Sequence, residues 1–101
     1  MFNFNGENWG IVVVPQFSPQ LQRSDGSYTI GVCDDREKLI YIADDLPYVL
    51  LKNVLSHEIA HAAMFSYNIY MDIEQEELVV DLIATYGEEI IHTSNCIFKK
   101  I

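Results

Sequence analysis

Ser56-His57-Glu58-Ile59-Ala60-His61-Ala62-Ala63-Met64 is the stretch on which the reading of this chain turns. Residues four apart on an α-helix lie about 40° apart in projection, so His57 and His61 leave one face and can converge on one ion. Glu58 is offset by about 100°, which lets its carboxylate reach a water held by such an ion. The flanks favour a helix. Leu50, Val54, His57, His61 and Met64 or Phe65 follow helical periodicity, so the two histidines interrupt an apolar stripe. Burying two imidazoles and a carboxylate there is costly without a partner, and a metal supplies one. Pro47 suits the first helical position, with Asp44 or Asp45 upstream as a cap. Ala60, Ala62 and Ala63 are small enough to let other backbone pack closely.

A third protein ligand is expected from the segment that follows. Asp72 and Gln75 form a capping-box pattern, and Glu74, Glu76 and Glu77 crowd the first turn, where the helix dipole favours acids. Glu74 and Glu76 read as a solvated helix start. Glu77 differs, because Asp81 lies one turn further on the same face, inside the apolar run Leu78 to Ala84. Glu77 as a ligand, with Asp81 accepting the second N–H of a metal-bound histidine, accounts for both carboxylates.

An H-E-x-x-H followed after a short connection by a helical E-x-x-x-D resembles the gluzincin branch of the zincin metallopeptidases. The chain as a whole is similar to the very small phage- and mobile-element-type zinc peptidase domains, akin to the stand-alone minigluzincins and the ImmA/IrrE-type peptidase domain. The resemblance implies Zn²⁺ held by His57, His61 and Glu77, with Glu58 as general base and Asp81 as support. No H-x-x-G-x-x-H extension follows His61, so the metzincin pattern is absent. The implied reaction is peptide hydrolysis by a metal-activated water, with Glu58 taking its proton and passing it to the leaving amine. The oxyanion-stabilising residue stays unassigned; Tyr67, Tyr70 and Tyr86 are candidates by type only.

The N-terminal half should supply a sheet, giving an α+β fold: a small antiparallel or mixed three-stranded sheet on an active-site helix and a second, ligand-bearing helix. Trp9 to Val14 is a β-branched run ended by Pro15 and reads as a strand. Gln16 to Ser24 reads as loop and Asp25-Gly26 as a turn. Ser27 to Cys33 and Lys38 to Ile42 read as a hairpin with the tip Asp34 to Glu37. In zincins a sheet edge over the cleft pairs with an extended peptide or protein substrate. By resemblance, that edge is expected to be the second hairpin strand or its neighbour, with sequence-tolerant binding.

Length and composition bound the rest. A chain of 101 residues, half of it apolar, suffices for one core and not two, so residues 1–101 are expected to form a single domain. The formal charge of −9 disfavours nucleic acid as a partner and favours basic or neutral substrate segments. No apolar run approaches the roughly 18 residues that span a bilayer, so no membrane partner is expected. Residues 1–7 lack the pattern of a secretory signal, and Cys33 and Cys96 read as reduced thiols, which together suggest a cytoplasmic protein. Capping of zinc by Cys33 is a minor alternative. Two other classes are compatible with the chain. One is a zinc-stabilised, non-catalytic or latent module, including a form in which Thr93 to Ile101 covers the cleft; the other is a metal-free interaction domain.

Overall fold

A computed structural model covers residues 1–101. It is α+β, a four-stranded mixed sheet followed by two helices. The strands are β1 (Phe2–Phe4), β2 (Glu7–Val14), β3 (Gly31–Asp34) and β4 (Leu39–Ala43); the helices are α1 (Tyr48–Ser66) and α2 (Ile73–Phe98). Sheet order is β1-β2-β4-β3, with β2 and β4 parallel and both outer strands antiparallel to their neighbours.

The strand beyond the expected three is β1. It folds back on β2 through Asn5-Gly6, whose φ values of 51° and 82° are those of a tight turn matched to strand twist. An Asn-Gly pair between Phe4 and Glu7 is itself a hairpin signal. The first hairpin strand is shorter than the Ser27–Cys33 expectation. Tyr28 instead bridges Gln22, and the Thr29 N–H donates to the Leu21 carbonyl, which wraps residues 22–29 around the buried Leu21. The hairpin tip is held by the Asp34 carboxylate, which accepts from the N–H groups of Arg36 and Glu37.

Helix α1 lies between the sheet and α2. Trp9, Ile40 and Ile42 pack against Ala62 on one side, and Trp9 Nε1 donates to Ser66 Oγ at 2.7 Å, pinning β2 to the end of the helix. Ala60 and Met64 pack against Val80 of α2 on another side. A helix covered on two sides has no single apolar stripe, so the small alanines serve both contacts. Its start differs from expectation. Pro47 is the N-cap, with extended backbone at ψ 148°, and no side chain caps the helix. Asp44 is drawn away, accepting from the Gln16 N–H, and Asp45 sits at φ 56°. Asp72 does cap α2, accepting from the Gln75 N–H at 2.9 Å.

Candidate metal centre

The 57–61 spacing on α1 and the first two turns of α2 bring four acidic or imidazole side chains together, and a fifth joins them. His57 Nε2 is 3.2 Å from one Glu77 carboxylate oxygen, and His61 Nε2 is 3.0 Å from the other. The imidazole rings stand edge to face with centroids 4.9 Å apart. Ligand atoms of His57, His61 and Glu77 all lie within 4.8 Å of one another, so this group could hold a metal ion.

The outer nitrogens decide what kind of site this is. His57 Nδ1 is 3.1 Å from Asp81, the partner expected from the sequence. His61 Nδ1 is 3.2 Å from Glu76, which the sequence alone assigns to a solvated helix start. Glu76 instead has a side chain only 13% exposed, against 65% for Asp81. It lies four residues before Val80, which the structure buries fully, and so shares the face turned to α1. Each imidazole thus has a carboxylate at Nδ1 and Glu77 at Nε2, and two imidazole nitrogens with a carboxylate are a donor set that could hold a cation.

Glu58 stands beside this group, 6% exposed. Burial pushes its carboxyl above the usual carboxylate range; His57 and His61 oppose the rise and Glu77 adds to it. The cleft in front of it has a volume of about 580 Å³ and is walled by α1 on one side and residues 29–32 on the other. Strand β3 is a free edge of the sheet, whereas β4, the second hairpin strand, is enclosed between β2 and β3. Gly31 lets that edge approach. A Cβ there would lie 2.6 Å from Val54 Cγ1 and 3.1 Å from Glu58 Cγ.

Two further cleft side chains carry no signal in the sequence: Arg23, from the loop before β3, and Asn53, one turn before His57. With the Thr29 hydroxyl they are the side-chain donors there other than imidazoles, and none of Tyr67, Tyr70 and Tyr86 lines the cleft. Cys33 packs against the core cluster, and burial, followed by the charge of Glu58, pushes its thiol far up, which suits a packing role and not a thiolate ligand. The segment from Thr93 onward continues α2 and does not line the cleft. No helix is long and apolar enough to cross a membrane.

Fold and site together define an α+β domain whose two helices present a His/His/Glu group at the floor of a cleft. Comparison with known proteins finds no matching family model, curated protein or solved structure.

Proposed function

We propose that this chain is a zinc-dependent peptidase of minimal gluzincin type. The observation that carries the reading is the joint placement of His57, His61 and Glu77 with a buried Glu58 on a cleft bordered by the free β3 edge. His57, His61 and Glu77 would hold the ion, which when bound supplies an acidified water and polarises a carbonyl.

The chain's own residues do the remainder. Glu58, shielded from solvent and with its carboxyl biased toward holding a proton, accepts one from the attacking water and returns it to the leaving amine. Asp81 and Glu76 keep each imidazole in the tautomer and orientation that ligation needs. An extended substrate lies along β3 and takes main-chain hydrogen bonds from it, so recognition depends little on sequence. Asn53 and Arg23 are the donors available to a developing oxyanion or to substrate carbonyls.

Elemental analysis of wild type, His57→Ala and Glu77→Ala is the direct test, with a peptide-cleavage screen against Glu58→Gln. One zinc per chain, lost in the first two variants, with cleavage that disappears in Glu58→Gln at unchanged zinc content, is the expected result. A wild type that takes up no zinc on reconstitution would overturn the reading. Zinc without cleavage would leave the metal as a clamp between α1 and α2.

A further inference from the structure

Of the six lysines and arginines in the chain, only Arg23 lines the cleft. The backbone puts it there. Residues 23–27 close a tight hairpin loop, in which the Gly26 N–H donates to the Arg23 carbonyl at 3.0 Å and the Arg23 N–H to the Ser27 carbonyl at 2.7 Å. Gly26, at φ 89°, takes the left-handed position that such a loop needs. Gln22 bridges Tyr28 at its base. Successive residues of a ribbon face opposite sides, so Tyr28 turns onto Phe17, ring centroids 5.5 Å apart, while Arg23 and Thr29 reach the cleft.

Arg23 has no acid for a partner. Lys38 pairs with Glu7 and Asp35, and Lys52 with Glu88, but the Arg23 guanidinium is in no ion pair. Asp25, two residues on, is already engaged: its carboxylate accepts from the Ser27 N–H at 2.9 Å and from the Ser27 hydroxyl at 2.6 Å. Those two bonds hold the Asp25 carboxyl below its usual range, and the charge of Arg23 is a lesser cause. With fifteen acidic residues against six basic ones, a guanidinium left unpaired in the cleft is matched by an anion that arrives with the substrate.

We propose that Arg23 selects substrates by a carboxylate, so that the preferred peptides carry an acidic side chain or a free C-terminus near the bond that is cut. This rests on the peptidase reading and narrows it. A neutral carbonyl needs only a dipole, which Asn53 and Thr29 offer in the same cleft, whereas a full positive charge is best used on a full negative one. The planar guanidinium fork fits the two oxygens of a carboxylate, and one cation balances one such charge. Glu58 and Glu77 stand on the helix side of the cleft and carry the charge that a zinc ion would offset, which leaves Arg23 to set the sign that the substrate meets. The formal charge of −9 by itself favours basic or neutral segments. It acts through solvent, however, and is screened beyond about 8 Å at physiological salt, so the contact charge in the cleft decides.

Titration of the nitrogen-15-labelled whole chain with four N-acetylated alanine hexapeptides tests this without any need for cleavage. One peptide has a central Glu and an amidated end, one a central Gln and a free C-terminal carboxylate, one a central Gln and an amidated end, and one a central Lys and an amidated end. The Arg23 Nε–H signal and the Thr29 and Gly31 amides should shift at about tenfold lower concentration of a carboxylate peptide than of the neutral one, the ratio that one charge-assisted contact supplies. The first two peptides tell the side chain from the terminus. Arg23→Gln should abolish the discrimination, and Arg23→Glu should turn it toward the Lys peptide. The side chain is exposed, so both variants should keep the near-ultraviolet signal of Trp9. No shift with any peptide, equal affinity for acidic and neutral ones, or a preference that survives Arg23→Gln would each overturn the proposal. Cleavage of the same peptides by zinc-loaded protein is read separately. Discrimination in binding with no cleavage would sink the peptidase reading and leave the carboxylate contact standing.

Discussion

Glu76 and Glu77 are neighbours in the chain and act on opposite sides of the same imidazole. Glu77 meets His61 at Nε2 and Glu76 meets it at Nδ1. On the proposed reading, Glu76→Gln should therefore weaken zinc binding by about 10–100-fold, the usual effect of removing a histidine's outer carboxylate. Glu74→Gln, on the exposed side of the same turn, should leave affinity unchanged in the same titration. The H-E-x-x-H spacing is readable because four residues of helix subtend a known angle. Glu76 is not, because all three glutamates satisfy the helix dipole equally and only the rotation of α2 against α1 separates them. The cysteines give a second prediction. A thiol held above its ordinary range by burial stays protonated when pH rises from 7 toward the usual thiol value of about 8.5. Alkylation of Cys33 should stay slow across that range until the protein is unfolded, whereas exposed Cys96 should react in the native state. Fast native labelling of Cys33, read by mass spectrometry, would contradict its place in the core.

Among the elements, β3 carries the tightest constraint. Its edge can border the cleft only because Gly31 has no side chain to meet Val54 and Glu58. Gly31→Ala should destabilise the fold by about 1–3 kcal/mol, as overpacking does, and, on the proposed peptidase reading, lower turnover by displacing Glu58. Unchanged melting temperature and unchanged turnover together would show that β3 lies further from α1. The β1–β2 hairpin depends on its turn in another way. Gly6 sits at φ 82°, and a Cβ added there would have no neighbour within 4 Å. Gly6→Ala therefore meets no contact and costs only backbone strain, about 1–2 kcal/mol. Denaturant unfolding measures it directly. The hairpin is within reach of sequence through Asn5-Gly6, whereas the shortening of β3 is not. Tyr28 alternates with its neighbours as a strand residue should, and it is the distant buried Leu21 that draws its segment out of the sheet.

At the scale of the molecule, only 13 of 101 residues are buried, so contacts between layers are few and each matters more. Between α1 and α2 the apolar contact centres on Ala60, Met64 and Val80, and the His/Glu group lies next to it. A bound ion would tie the two helices where apolar packing is thin. Saturating zinc at about 100 times its dissociation constant should add about 2.7 kcal/mol, and chelation should lower the melting temperature accordingly. A melting temperature indifferent to chelator, in protein shown to contain zinc, would mean that the helices hold together without it. The overhang of α2, which contributes to the longest dimension of 51 Å, is the other consequence of scale: a small core cannot cover a 26-residue helix.

What the sequence determined by itself was local. Helical periodicity put His57, Glu58 and His61 on α1, Glu77 and Asp81 one turn apart on α2, and a β-branched run in β2. Each follows from angles and propensities acting over a few residues. Tertiary structure decided the rest: β3 as the free edge, Gly31 against Glu58, Glu76 behind His61, and Arg23 and Asn53 in the cleft. The physical reason is common to all of them. They depend on how far one element turns and slides against another, and that is set by the summed packing of Trp9, Ala60, Ala62 and Val80, not by any short stretch of chain.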